Sequence, residues 1–392
     1  MTLNVFETGL LSVLVFCFII QLLYLWIVLA KPYYYMRYIS KEKVYRFTTH
    51  PPVSVIVYTN KSCRDLSEFL PEVLEQEYPE FEVIIVSDGI SDYDEEALIR
   101  FKNIYSNLYY TSVPGDTRNI SRKKLAITLG IKAAKFDKIL FTESDCRIRT
   151  KHWIYSMTKN FSDKKTIVLG FSAIENAKSL IQKIISLDYL FLNLQMFSFA
   201  LFNRPYAGNG RNMAYSKEHF IEQKGFAKHR ALKQGEDDLF INEIATKINT
   251  AVELSADSIT LLEAQNFKEW KRQKVDKMTT KRYYKRGPVA FWRLETFFRI
   301  VFIIALIACF VSGFPYDKTR SFILSGIALI CFIISFCSQL FIVNKTVQYL
   351  QLKKFYLTLF LFDIFQPLFN LYFRIHKVFK EKENFTYLYE KR

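Results

Sequence analysis

The sequence has 392 residues, half of them hydrophobic, with 54 Lys and Arg against 38 Asp and Glu, which gives a formal net charge of +16. That excess could indicate nucleic-acid binding, but much of it lies beside long apolar segments, where anionic lipid headgroups attract basic residues. We therefore expect a membrane protein without a nucleic-acid partner. Most of the six cysteines lie within apolar segments, which excludes a disulfide framework or a zinc-binding spacing.

The first apolar segment, residues 10–30, carries no charged residue. About 20 apolar residues in a helix span the hydrocarbon core of a bilayer. The only charged side chain before the segment is Glu7, so no basic region precedes it, and this differs from a cleaved signal peptide. Residues 1–31 are therefore predicted to be a retained transmembrane anchor.

Two further apolar segments, 295–314 and 321–343, are predicted to form a transmembrane hairpin within residues 291–343. Basic residues follow the first span and precede the second, so the positive-inside preference predicts that the region between them is cytoplasmic. These residues are Lys31, Arg37, Lys41, Lys43 and Arg46, then Lys281, Arg282, Lys285, Arg286 and Arg293.

The last apolar stretch, residues 355–373, contains Asp363, Gln366 and Pro367, and a basic tail follows it. A full crossing would place that tail outside, against the positive-inside preference. For residues 355–392 we therefore expect an interfacial or re-entrant helix and a basic tail.

Residues 50–285 alternate short β-branched runs with helical segments. Alternation at this spacing predicts an α/β domain with a doubly wound, mostly parallel sheet. The predicted strands are 53–58, 82–87, 108–113, 138–142 and 166–172, and the predicted helices between them are 65–76, 93–106 and 122–134.

Acidic residues follow two of these strands. Asp88 comes after the second strand, and "FTESDC" places Glu143 and Asp145 after the fourth. Ligands of such sheets bind beyond the carboxyl ends of the strands. Two neighbouring carboxylates repel each other unless a cation lies beside them, and Mg²⁺ and Mn²⁺ favour such oxygen ligands. A solvated turn that caps a helix is the alternative for an isolated Glu-x-Asp.

With its companion motifs, the chain resembles the membrane-bound family-2 glycosyltransferases of bacteria, which have the GT-A fold, a Rossmann-like α/β domain. The resemblance runs in order from "VSVIVY" to about residue 285 and includes "VSDGISD", "SRKKLAITLGIKAA", "FTESDC", "YAGNGRNMAYSKEHF" and "GEDDLF". It implies that the chain is an inverting hexosyltransferase of the bacterial inner (cell) membrane. The donor would be a nucleotide sugar, with uridine diphosphate as the expected carrier.

The resemblance also implies roles for residues of these motifs. Asp145, supported by Glu143, would bind Mg²⁺ or Mn²⁺, and Asp237 would be the catalytic base. Glu236 is the alternate base, because "GEDDL" aligns with the family pattern in two registers, and Asp238 completes the motif. The residues expected to bind the donor are Asp88, Lys123, Lys124, Arg211, Asn212, Gln273 and Lys274. Lys123 and Lys124 could equally belong to a solvated helix face.

Two departures from the family pattern affect the expected activity. Glu143 stands where aspartate is usual, and "QKVDK", residues 273–277, stands where processive relatives have Gln-x-x-Arg-Trp. The leading hypothesis is transfer of one sugar to a lipid-linked or cell-envelope glycan acceptor. A processive polysaccharide synthase and an inactive sugar-nucleotide-binding assembly subunit are the alternatives.

Residues 184–202 are long and apolar enough to be mistaken for a span. A crossing there would separate Asp145 from Asp237 by the membrane, and Asp188 and Asn193 are costly in lipid. We therefore expect an interfacial helix, or a helix packed against the catalytic domain.

Overall fold

A computed structural model of the chain describes residues 5–41, 50–60, 65–114, 121–312 and 318–380. Lys43, Arg46 and the tail beyond residue 380, which enter the predicted topology, lie outside these ranges. The strands are β1 (Val53–Asn60), β2 (Phe81–Asp88), β3 (Leu108–Ser112), β4 (Lys138–Glu143), β5 (Cys146–Ile148), β6 (Ile167–Gly170), β7 (Ser172–Ile174), β8 (Met213–Ser216), β9 (Thr250–Glu253) and β10 (Thr260–Leu262).

Thirteen α-helices lie within the described ranges. They are α1 (Val5–Leu23), α2 (Lys31–Lys41), α3 (Leu66–Leu74), α4 (Asp92–Ile104), α5 (Arg122–Ala133), α6 (Trp153–Thr158), α7 (Leu180–Leu201), α8 (Lys217–Glu222), α9 (Asp238–Ile244), α10 (Phe267–Thr280), α11 (Arg286–Ser312), α12 (Lys318–Tyr349) and α13 (Leu357–Lys380). A π-helical segment, Tyr24–Leu29, joins α1 to α2.

The main sheet has seven strands in the order β3-β2-β1-β4-β8-β6-β9. β8 pairs antiparallel with both β4 and β6, whereas the other pairs are parallel. A smaller sheet has the order β5-β10-β7. The prediction of a mostly parallel α/β sheet is confirmed.

Alternate residues of the central strands enter two different cores. Ile56 of β1 packs with Phe141 in one apolar cluster, whereas Val55 and Val57 pack in the cluster on the other face. Helices cover both faces of this sheet, so its strands must be apolar along their whole length. That requirement explains the continuous run "VSVIVY".

Side-chain caps fix several helix starts. Ser179 at α7 and Asn266 at α10 both form complete capping boxes, with Gln182 and Glu269 as their partners. Asp65 caps α3 by accepting a hydrogen bond from the Ser67 N–H. Each cap satisfies backbone N–H groups that have no partner inside the helix.

Four helical segments of the described chain are long and apolar enough to cross a membrane: Val5–Lys41, Leu180–Leu201, Arg286–Val311 and Phe322–Tyr349. The first, third and fourth contain the predicted anchor and hairpin. α1 packs along α11 and also contacts α12, so these helices form one bundle.

α7, the remaining apolar helix, packs against α10, α13 and the smaller sheet. Its Asn193 amide donates to the Ser172 carbonyl at 3.4 Å, and Asp188 is buried. β6 precedes α7 and β8 follows it, yet these strands are paired neighbours in the main sheet. Both ends of α7 therefore lie on the same side of any membrane, which is incompatible with a single crossing.

Candidate active site

The strand register brings the predicted acidic positions to one edge of the main sheet. Asn60 of β1 aligns with Asp88 of β2, and Tyr58 of β1 aligns with Glu143 of β4. The Tyr58 hydroxyl donates to Asp88 Oδ2 at 3.2 Å, and Arg122 forms an ion pair with Asp88 Oδ1. Asp88 is thus at the rim of the crevice, with a cation from the start of α5 beside it.

The carboxylates of "FTESDC" have separate cationic partners. The Arg211 guanidinium donates to Asp145 Oδ2 at 2.7 Å from one nitrogen and at 3.2 Å from another. It also lies 3.5 Å from Glu143 Oε2. Burial alone would raise the pKa of Asp145, but the Arg211 charge and hydrogen bond lower it below its usual value. Arg211 therefore favours the ionised form of Asp145.

Lys123 joins the acidic pair to the "GEDDLF" segment. Its Nζ lies 2.8 Å from Glu143 Oε1 and 2.8 Å from Glu236 Oε1, although these carboxylates are far apart in the chain. Burial lowers the pKa of Lys123, but both carboxylates outweigh this effect and raise it well above its ordinary value. Lys123 is a permanent cation in the middle of the site.

Gly210 lies between the two acidic segments. Its N–H donates to Asp237 Oδ2 at 3.3 Å. A Cβ at this position would lie 3.4 Å from Asp237 Cβ and 3.7 Å from Glu143 Oε1. Gly210 therefore places both acidic segments around one point of the backbone.

The adjacent acids of "GEDDLF" have opposite pKa shifts. Burial raises the pKa of Asp237, but Lys277, Lys123 and backbone N–H groups lower it below the usual value, so this carboxylate is ionised at neutral pH. For Asp238, burial and the charge of Asp237 raise the pKa to about 6. Asp238 Oδ2 accepts hydrogen bonds at 2.6 Å from Thr280 and from Tyr284. Asp237 is ionised, as a general base must be. The carboxylate of Asp238 is instead hydrogen-bonded to side chains inside the protein, which indicates a structural role.

Two predicted donor-binding residues use their polar atoms inside the protein. Lys124 is fully buried, and its Nζ donates to the His229 and Leu232 carbonyls at 2.6 and 2.7 Å. The buried Asn212 amide donates to the Phe171 and Ser258 carbonyls, and its oxygen accepts from Trp153. These contacts hold together the elements around the site, and they indicate structural roles for Lys124 and Asn212.

α10 runs beside the acidic segment. Lys274 Nζ lies 2.6 Å from Asp188 Oδ1, and the Trp270 indole donates to Asp188 Oδ2 at 2.9 Å. Both residues therefore anchor α10 to α7. Gln273 lies on the same helix and is half-buried. Lys277, which sequence reasoning missed, is the α10 cation that acts most strongly on Asp237. Its position one helical turn after Gln273 was the available signal.

The residues fit a divalent cation that is shared with substrate phosphates. Among the described residues, no three Asp, Glu, His or Cys side chains are grouped to hold a metal by themselves. Mg²⁺ and Mn²⁺ commonly use one or two protein carboxylates and take further ligands from phosphates and water. Asp145 and Glu143 would supply such a pair.

Comparison with known proteins shows that this chain is similar to others in sequence and in fold. The family profile described as "Glycosyl transferase family 2" matches residues 54–230. The poly-beta-1,6-N-acetyl-D-glucosamine synthase of Staphylococcus epidermidis is 28% identical over 139 residues, 35% of this chain and 32% of that protein. The enzyme of the same name from Staphylococcus aureus strain COL is 26% identical over 162 residues, 39% of this chain and 38% of that protein. This chain thus matches about a third of the length of these curated relatives.

A mannosyltransferase from Pyrobaculum calidifontis, solved with GDP-Man and Mn²⁺, has a similar structure. It superposes with a TM-score of 0.53 at 16% identity and covers 88% of this chain and 98% of its own. At that identity the similarity concerns the fold.

Proposed function

Because residues 54–230 belong to glycosyltransferase family 2, with the GT-A fold, we propose that this protein transfers a sugar from a nucleotide-sugar donor to a membrane-associated acceptor. The observation that carries the proposal is the convergence of Glu143, Asp145, Glu236 and Asp237 around two cations, Lys123 and Arg211, at the carboxyl edge of the sheet. A catalytic domain at the cytoplasmic face of a multi-pass membrane protein agrees with the basic residues around it.

Donor binding requires the site to offset the charge of a diphosphate leaving group. Asp145, with Glu143 in support, would hold Mg²⁺ or Mn²⁺, which supplies positive charge to the phosphate oxygens. Lys123 and Arg211, which pair with these carboxylates, would add positive charge for the phosphates. Asp88 would contact the nucleoside, with uridine as the expected nucleoside. Gln273 is half-buried on α10 and could contact the donor from the other side.

Acceptor activation is assigned to Asp237. Its ionised carboxylate lies beside Gly210 and Glu143 and can accept the proton of an acceptor hydroxyl. General base assistance contributes on the order of 100 to 10,000-fold in rate. Direct attack by that hydroxyl on the anomeric carbon would invert its configuration. Glu236 is the alternate base, although one of its oxygens is paired with Lys123.

Two other functions have specific support. A processive polysaccharide synthase is favoured by the curated relatives, whose names describe synthases of an N-acetylglucosamine polymer. For such an activity, N-acetylglucosamine would be the sugar to test first. An inactive sugar-nucleotide-binding assembly subunit is favoured by Glu143 in the metal motif and by the missing Gln-x-x-Arg-Trp.

The test uses the full chain in lipid nanodiscs with a panel of nucleotide sugars, with and without Mn²⁺. Release of nucleotide by the wild-type protein, together with transfer to membrane glycolipids, is the expected result. Asp237→Asn should lower transfer at least about 100-fold and leave donor binding nearly unchanged. Glu236→Gln is the matched comparison that separates the two candidate bases.

Each outcome has a defined consequence. Transfer that survives in Asp237→Asn but is lost in Glu236→Gln would reassign the base. Donor binding without any nucleotide release would favour the assembly subunit, and products longer than one sugar would favour the synthase.

A further inference from the structure

A second cavity lies outside the acidic crevice, where the membrane bundle meets the catalytic domain. It has a volume of about 490 Å³ and is lined by Val28, Phe199, Phe202, Arg204, Gly287 and Phe291. We call it the juxtamembrane groove. Ligand pockets of proteins are typically about 300 to 1,000 Å³ and mostly apolar, with a few polar groups that orient the ligand. The groove has both properties.

The groove lies at the boundary between apolar and charged sequence. Val28 is near the end of the uncharged segment 10–30, whereas Gly287 and Phe291 follow Arg286 at the beginning of α11. α1 and α11 pack against each other, so these two boundaries are adjacent in space. An occupant of the groove would therefore have its apolar part next to the acyl chains and its polar part next to the headgroups.

Two cations lie at the groove, because Arg204 lines it and Lys31 lies beside the Phe202 ring in its wall. Arg204 is exposed, and Lys31 Nζ lies 5.0 Å from the centre of the Phe202 ring. Within the described ranges, neither side chain forms an ion pair or a hydrogen bond with a carboxylate. Two cations above an apolar, aromatic wall favour an anionic headgroup joined to a hydrocarbon chain.

A short series of aromatic contacts links the groove to the acidic crevice. The ring of Phe199, which lines the groove, lies 5.6 Å from that of Tyr206, and Tyr206 lies 5.7 Å from Tyr284. The Tyr284 hydroxyl bonds to Asp238, the neighbour of the assigned base. The same segment, residues 204–211, continues from Arg204 to Arg211. The wall of the groove is thus packed against the residues that hold the "GEDDLF" segment.

We propose that the juxtamembrane groove binds the carrier of the acceptor, a lipid phosphate whose hydrocarbon chain packs against Phe199, Phe202 and Phe291 and whose phosphate pairs with Arg204 and Lys31. The inference rests on the proposed function, because it specifies the acceptor as a lipid-linked phosphate or diphosphate. The inference assigns recognition of this lipid phosphate to residues outside the sequence motifs of the catalytic domain.

The probe is farnesyl phosphate with a photoreactive group at the end of its chain, added to the full protein in phosphatidylcholine nanodiscs. After illumination, mass spectrometry locates and quantifies the label. We expect the label on residues 199–204 and 287–292. Farnesol of the same design tests the phosphate, and competition by inorganic phosphate tests whether the site binds a free anion.

Two substitutions test the groove independently. Arg204→Gln removes a charge from an exposed position and should reduce labelling about tenfold. Gly287→Leu adds a side chain where a Cβ would have no atom within 4 Å, so it should fill the groove without a clash and reduce labelling to a similar extent. Gly326→Leu, at an equally open helical glycine of α12, is the matched control and should label as the wild type.

The inference is overturned if Arg204→Gln and Gly287→Leu both label as the wild type, or if farnesol labels as efficiently as farnesyl phosphate. It is also overturned if inorganic phosphate displaces the probe as effectively as unlabelled farnesyl phosphate does. Nucleotide release, measured in the same nanodiscs, reports on the catalytic domain separately. Turnover without labelling rejects the groove alone, whereas labelling without turnover rejects the proposed transferase activity alone.

Discussion

At the scale of single residues, two adjacent lysines have different roles. Lys123 lies between Glu143 and Glu236, whereas Lys124 points into the protein and bonds to two backbone carbonyls. The sequence predicted a cationic helix start but could not separate the two residues, because the carbonyls of His229 and Leu232 are more than 100 positions away. The face of the helix on which each lysine lies, and the packing of distant segments against it, decide which lysine reaches the acidic residues.

Substitution of Lys124 should therefore affect stability first. Lys124→Met leaves two buried carbonyls without a donor, and each unpaired buried group costs about 1 to 3 kcal/mol. We expect a lower unfolding temperature of the detergent-solubilised protein, whereas Lys123→Met should weaken donor binding with a smaller change in stability. If Lys124→Met instead kept full stability and lost donor affinity, Lys124 would be a donor-binding residue.

The raised pKa of Asp238 predicts that the stability of the protein depends on pH. Its pKa is about 6 in the folded protein, against about 3.9 in an unfolded chain. The fold therefore favours the protonated acid. This contribution is complete below about pH 4 and is lost as the pH rises through about 6, at a cost of about 3 kcal/mol.

Asp238→Asn removes this titration and keeps an oxygen that can accept hydrogen bonds from Thr280 and Tyr284. The unfolding temperature of the variant relative to the wild type should rise between pH 4 and pH 7. Thermal unfolding across this range measures the effect, with the exposed Asp92→Asn as the control. A difference that does not change with pH would contradict the assignment.

At the scale of elements, the sequence predicted the parallel strands of the main sheet better than it predicted the antiparallel strand β8 and the smaller sheet. "VSVIVY" and "EVIIVS" are continuous apolar runs, so β1 and β2 could be recognised locally. β8 is a four-residue antiparallel strand inside the polar segment "YAGNGRNMAYS", and its partners determine it. The predicted strand 166–172 is two strands, β6 and β7, which belong to different sheets. Local pattern could not reveal that division.

The attachment of α10 to α7 depends on Asp188, which accepts from Trp270 and pairs with Lys274. Asp188→Leu would leave a buried ammonium group without its partner, which typically costs about 3 to 5 kcal/mol. We expect Asp188→Leu to unfold at a clearly lower temperature than Asp188→Asn, which retains an acceptor for the indole. Equal unfolding temperatures would mean that α10 is held mainly by apolar packing.

At the scale of the whole molecule, the topology follows from one sheet. Because β6 and β8 are paired, residues on both sides of α7 must face the same compartment. The positions of the acidic motifs at strand ends were predictable from the sequence. The groove between the bundle and the domain was not, since its walls come from three separate segments of the chain.

The variants Lys164→Cys and Glu222→Cys, made one at a time, test whether both sides of α7 face the same compartment. Both positions are exposed and lie on opposite sides of α7 in the sequence. An impermeant thiol reagent should label both in inverted membrane vesicles and neither in intact cells, whereas Asp317→Cys between the last two spans should show the reverse. Labelling of only Glu222→Cys from outside would require α7 to cross the membrane.

The pairing of β6 with β8 also constrains synthesis of the protein. The 22-residue α7 leaves the ribosome before β8 does, so it is made when the strand that lies between β4 and β6 is still missing. During that interval we expect α7, which is long and apolar enough to cross a membrane, to be a candidate for insertion. Once Met213–Ser216 has been made, β8 can pair with β4 and β6, and this pairing fixes the end of α7 to the catalytic domain.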